Sequence, residues 1–149
     1  MKWRLHTHFE VERFVPIRID VTPNGGGEHD ERAVLERTLA SDRLYVMDRG
    51  YAKFALFNQI VKKDSSYVCR LRDNRAYEVL EDRPLTDADR AAGILSDQIV
   101  RFPNGKADAQ PDHPIRLLCI QTNPHTSRGK YRGGSTGPSS DGVLRIATN

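Results

Sequence analysis

Long apolar stretches are missing from this 149-residue sequence. No run approaches the roughly 18 residues of a membrane helix, which excludes a helical membrane protein. Cysteine is scarce as well: Cys69 and Cys119 stand alone in strand-like segments, which excludes a disulfide-dense secreted scaffold and a paired-cysteine zinc site. Neither sign of charge dominates, since 23 Lys and Arg face 20 Asp and Glu for a net +3. A pI near 9.0 permits an anionic partner without requiring one. No internal repeat is present. Met1-Lys2-Trp3-Arg4 leads into alternation and not into a signal-peptide core, so a soluble, unexported, cytoplasmic protein is expected. What remains, 38% hydrophobic residues in 16.9 kDa, suffices for one globular domain with a real core.

Residues 3–11 alternate, with Trp3, Leu5, Thr7, Phe9 and Val11 on one face and Arg4, His6, His8 and Glu10 on the other. That pattern predicts a half-buried strand whose histidines face solvent. Val15, Ile17, Ile19 and Val21 repeat it until TPNGGG breaks the chain, so two neighbouring antiparallel strands are expected. Residues 28–40 begin with Glu28, Asp30 and Glu31 and carry Val34, Leu35 and Leu39, which suits a helix with acids at its N-terminus.

Leu44-Tyr45-Val46-Met47 has no polar alternation and predicts a strand covered on both faces, with Asp48 at its C-terminal tip. Helical spacing returns over 51–62 (Phe54, Phe57 and Val61 on one stripe), and SYVCRLR at 66–72 is again strand-like. The order is β-β-α-β-α-β. Functional groups of open α/β sheets gather at the carboxyl ends of strands, where Asp48 stands. An Asp before a helix is also a common N-cap, and spacing alone leaves cap and chemistry even. Arg49 and Lys53 beside it would attract phosphate, and an acid amid bases suits metal-assisted phosphoryl transfer.

From residue 73 the pattern changes to short strands at Tyr77 to Leu80, Gln98 to Phe102, Ile115 to Ile120 and Val143 to Ala147, with a helix from Thr86 to Ala92 that Thr86 and Asp89 cap. Residues 123–142 form a long polar loop in which Arg128, Lys130 and Arg132 cluster, a segment able to follow a nucleic-acid backbone or simply to be solvated. Gly133-Gly134-Ser135-Thr136-Gly137 matches a nucleophile elbow in letters only, lacking the strand before and helix after it. The glycines at 25–27 lack dinucleotide-binding spacing, Gly129-Lys130 is followed by Tyr131 and is no phosphate loop, and His6 with His8 lacks further ligands at recognised spacing.

The strings LYVMDRGYAKF, SYVCRLRDN, LTDADRAAGILSDQIVRF and GGSTGPSSDGVLRIATN, with LHTHFEVERFVPIRIDVTPNGG near the start, resemble bacterial insertion-sequence transposases of the DDE class, insertion-sequence family four. The resemblance runs over essentially the whole chain. It implies an α/β fold: a partial RNase H-like core over 1–72, a β-rich insertion over 73–141 and a truncated return strand of the core over 142–149. It also implies DNA transposition by metal-dependent phosphodiester hydrolysis and strand transfer, with DNA (transposon ends and target) as partner and Mg2+ or Mn2+ as cofactor. Asp48 matches the family's second catalytic, metal-binding carboxylate. Arg49, Lys53, Arg70 and Arg72 flank that site and are expected to contact DNA phosphates, as are Arg128, Lys130 and Arg132.

The family's first Asp precedes the strand starting at Trp3, and its Glu follows the strand ending at Asn149, so neither falls in this sequence. Asp20 and Asp141 match neither motif. The chain is therefore expected to be an internal fragment, inactive alone and prone to self-association. The alternative is a non-catalytic fragment that binds DNA or associates with, and poisons, intact transposase subunits.

Overall fold

The computed structural model describes residues 2–72, 75–103, 110–122 and 142–149. These divide into two compact units, residues 1–40 and 41–149. In the first, alternation builds β1 (Trp3–Glu10) and β2 (Val15–Pro23), an antiparallel ribbon in which Leu5 pairs with Val21, His6 with Asp20 and Thr7 with Ile19. Helix α1 (Glu31–Arg37) starts at Asp30, whose carboxylate accepts from the Arg32 amide at 3.0 Å and grips the Arg32 guanidinium at 2.8 Å. These bonds hold the Asp30 pKa down to about 2. The buried apolar side chains of α1 are Val34 and Leu35.

The buried side of the ribbon is not the one its alternation predicts. His6 is buried, with Nε2 2.9 Å from the Thr22 hydroxyl, and His8 Nε2 lies 3.4 Å from the hydroxyl of Thr38 at the end of α1. Trp3, Leu5, Phe9, Ile17, Ile19 and Val21 are exposed instead. Which face is covered depends on where α1 lands, and its C-terminal end lies on the histidine face. The expectation of solvated histidines is corrected accordingly.

The second unit holds β3 (Leu44–Met47), α2 (Phe54–Lys62), β4 (Ser66–Arg70), β5 (Glu78–Asp82), α3 (Asp87–Ala91), β6 (Ile94–Arg101), β7 (Ile115–Gln121) and β8 (Val143–Thr148). Its sheet runs β3-β4-β8-β7-β6-β5; β3 and β4 are parallel and the other neighbours antiparallel. The fold is thus mixed α/β with a six-stranded sheet and a separate two-stranded one. The expected order β-β-α-β-α-β is present, but it is shared between two sheets. Strand β8 lies between β4 and β7, so segments before residue 72 and after residue 142 meet in the middle of one sheet.

Helix α2 buries Phe54, Leu56, Phe57, Asn58 and Ile60. Phe57 stacks on Tyr67 with ring centroids 4.1 Å apart, and Phe54 lies 4.9 Å from Phe102. Cys69, Leu71, Ile115, Leu117 and Ala147 complete this core. The opposite side of β3 is open: Leu44 and Val46 are exposed, and β3 pairs with a neighbour on one side only among the described residues. A strand covered on both faces is therefore not what LYVM forms. At the far side of the sheet, Thr86 and Asp89 make a reciprocal capping box on α3.

The segment after residue 110 is pinned to α2 and β4. Asn58 donates to the Gln110 carbonyl at 2.7 Å and accepts from the Asp112 amide at 2.9 Å, while the Tyr67 hydroxyl and His113 Nε2 are 2.9 Å apart. His113 Nδ1 is buried with no partner among the described residues. Burial depresses the His113 pKa below the usual imidazole value, an effect Asp112 partly offsets. As pH falls, the unfolded chain therefore takes up this proton first, so the contribution is complete above about pH 6.5 and declines as pH drops toward the folded-state pKa. Urea midpoints at pH 7.5 and 5.5 are expected to show a larger acid loss in the wild type than in His113→Gln. An equal loss in both would show that His113 is not the group responsible; His8, also depressed by burial, is common to both proteins.

Candidate active site

Strand β3 ends with Met47 opposite Cys69, and Asp48 follows in extended conformation at φ −82, ψ 176. The chain then makes a single 3₁₀ turn over Arg49–Tyr51. The Asp48 carboxylate accepts from the Gly50 amide at 2.7 Å, which caps that turn, and the Asp48 carbonyl accepts from the Tyr51 amide at 3.1 Å. The same carbonyl accepts from the Cys69 thiol at 3.3 Å. Burial first, and the nearby Asp48 charge second, push the Cys69 pKa up to about 12, so the thiol stays protonated and acts as a donor, not a nucleophile. Asp48 itself remains exposed. Cap and exposed carboxylate are thus compatible: one oxygen fixes the turn while the residue still faces solvent.

Continuing the β3–β4 register by one residue sets Arg70 beside Asp48. Arg70 Nε is buried and has no hydrogen-bond partner among the described residues. Arg49 sits half-buried in the turn, Lys53 is half-buried at the N-cap position of α2 without a side-chain cap bond, and Arg72 is exposed just past β4. Four of the predicted bases thus lie on the segments that carry or flank Asp48. Arg128, Lys130, Arg132 and Asp141 lie outside the described residues.

A family model for the transposase DDE domain matches residues 2–132. The chain belongs to the transposase DDE domain family. No curated protein and no solved structure matches it. Membership gives the domain a transposase function with DNA as substrate, in a family that generally uses divalent metal ions. Among the described residues no helix is long and apolar enough to cross a membrane.

Among the described residues of the second unit, Asp97 stands far from Asp48. Across the sheet the register links Arg70 to Ile146, Ile146 to Leu118 and Leu118 to Asp97, so Asp97 lies four strands from Asp48, about 19 Å at the usual strand spacing. Asp97 is moreover gripped by Arg116 through two bonds of 2.7 Å, with Arg83 3.5 Å away. Asp20, in the first unit, is held by Arg18 at 2.6 and 3.0 Å, which lowers its pKa. No group of three His, Cys, Asp or Glu able to hold a metal exists among the described residues. A pair of divalent ions about 4 Å apart needs several bridging and flanking carboxylates, so the described residues do not fit one. Sequence reasoning missed Cys69, which anchors the Asp48 carbonyl. An apolar-looking strand position carries no local signal for that role; only pairing with Met47 reveals it.

Proposed function

We propose that this DDE domain is part of a DNA transposase of insertion-sequence family four, built on a partial RNase H-like core, in which Asp48 is the second metal-binding carboxylate. The observation that carries this function is an exposed Asp at the C-terminal tip of a β3-α2-β4 unit, inside the matched residues and beside Arg70. Arg49, Lys53, Arg70 and Arg72 hold the DNA backbone there, assisted by Arg128, Lys130 and Arg132, while the parent reaction is phosphodiester hydrolysis and strand transfer. With Asp48 the one carboxylate at the site among the described residues, the chain alone binds DNA without cutting it. The second reading, a non-catalytic partner that joins intact transposase subunits on DNA, is favoured by the same shortage of acids among the described residues.

Fluorescence anisotropy with a labelled duplex tests the DNA contact. Binding is expected to weaken steeply with salt, and Arg70→Ala with Arg72→Ala to lower the log–log slope by about one per lost phosphate contact. Absence of binding at low salt would overturn the DNA-binding role. Supercoiled plasmid with Mg2+ or Mn2+ is expected to stay intact; nicking that Asp48→Ala abolishes would overturn the inactive state.

A further inference from the structure

Arg75 is a half-buried base that no pattern in the sequence singles out. Its guanidinium lies over the Phe54 ring, 4.2 Å from the centroid, and 5.9 Å from the centroid of Phe102. Phe54 opens α2, directly after Lys53 and just beyond the turn that Asp48 caps. Arg75 itself follows Arg70 and Arg72 on the chain that leaves β4. One stacking contact thus joins the segment after β4 to the segment after β3, at the end of the sheet where Asp48 stands. We propose that Arg75 is a further DNA-phosphate contact of this site, held in place by its stack on Phe54. The assignment rests on the DNA-binding reading above and deepens it by one residue.

The stack fixes the side chain without cancelling its charge. Phe54 and Phe102 are buried and their rings lie 4.9 Å apart, so they form one firm apolar platform. An aromatic face attracts a cation through its quadrupole but carries no formal charge of its own.

Shape adds to charge. The N–H groups of a guanidinium point outward in the plane of the group, so a face laid on a ring leaves the edges for a phosphate, which a planar fork meets with two parallel hydrogen bonds. Lysine supplies the charge without the fork. Lys53 beside Phe54, and Arg70 and Arg72 ahead of Arg75, bring further positive charge to the same segments, which suits a polyanionic backbone.

Covering Phe54 is the bland use of such a stack. It needs the side-chain stem and the ring contact alone, and a substitution would then cost stability only. A phosphate contact also changes the salt dependence of binding.

Anisotropy titrations of the full chain with the labelled duplex over a salt series, with urea midpoints for each protein, separate the two. Arg75→Ala is expected to lower the log–log slope by about one, whereas Arg75→Lys keeps the slope and binds several-fold more weakly. Phe54→Leu retains the charge and most of the apolar bulk, so it is expected to keep the slope and lose about twofold to fivefold in affinity, the worth of a cation–π contact near a surface. Arg83→Ala is the control: this guanidinium is 3.5 Å from Asp97, just past the strand at the opposite edge of the sheet, and its loss should leave the slope unchanged. A slope in Arg75→Ala no lower than in Arg83→Ala, a slope lost equally in Arg75→Lys, or wild-type affinity in Phe54→Leu overturns the role of Arg75. The DNA-binding reading survives any of these while Arg70→Ala with Arg72→Ala still lowers the slope. If the wild type binds no duplex at low salt, both fall.

Discussion

Replacing Phe57 by alanine is expected to remove about 3–5 kcal/mol from the stability of residues 41–149, the cost of truncating a fully packed aromatic ring. Phe57 has no exposed surface, its ring is stacked 4.1 Å from Tyr67 at an interplanar angle of 15°, and Phe54 meets it edge-on at 6.1 Å. It is the main link between α2 and β4, and Tyr67 in turn pairs with His113. The loss is large beside the about 5–15 kcal/mol that a domain usually holds, so the urea midpoint should collapse. Phe57→Leu keeps most of the volume and is expected to cost far less. Denaturation followed by circular dichroism decides the matter. A loss under about 1 kcal/mol would mean that α2 is not docked on this sheet. The consequence reaches the site, because α2 begins three residues after the turn that Asp48 caps, and an undocked helix would release that turn.

Elements with strong periodicity were legible from residue types. The α2 stripe, the alternation of β1 and β2, and the Thr86–Asp89 cap all form close to where their patterns lie. Helix α1 is shorter than its composition suggests, running over Glu31–Arg37 within the expected 28–40. Pattern tells which residues share a face, but it does not tell what covers that face. Two errors follow from this limit. LYVM looked doubly buried, yet Leu44 and Val46 are exposed while Tyr45 and Met47 are half-buried, because only one face of β3 is covered among the described residues. His6 looked solvated, yet it is buried against Thr22. Sheet order was equally hidden: β8 enters between β4 and β7 through pairings such as Cys69 with Ala147, which no local signal encodes. At the site, the tip position of Asp48 was readable from an apolar run stopping at an acid. The Gly50 cap bond and the Cys69 anchor depend on geometry and became visible only in three dimensions.

Asp48→Asn is expected to separate the two uses of this side chain, since asparagine caps about as well as aspartate but carries no charge. Its urea midpoint should match the wild type, whereas Asp48→Ala, which leaves the Gly50 amide without its 2.7 Å acceptor, should lose about 1 kcal/mol. DNA affinity should move the other way. In chelator, removing the carboxylate beside Arg49 and Arg70 relieves its repulsion of phosphate, so Asp48→Asn is expected to bind duplex DNA about twofold to fivefold tighter at low salt, the effect of one nearby charge near a protein surface. Adding Mn2+ should reverse the ranking, because a single exposed carboxylate next to a bound phosphate offers a divalent ion two oxygen donors in the wild type and only one in Asp48→Asn. Anisotropy titrations with and without Mn2+ measure both effects. If Asp48 only caps the turn, the Mn2+ response of wild type and Asp48→Asn will coincide, and the metal-binding role falls. If the two diverge while their stabilities agree, the charge of Asp48 serves the DNA site and its cap bond serves the fold.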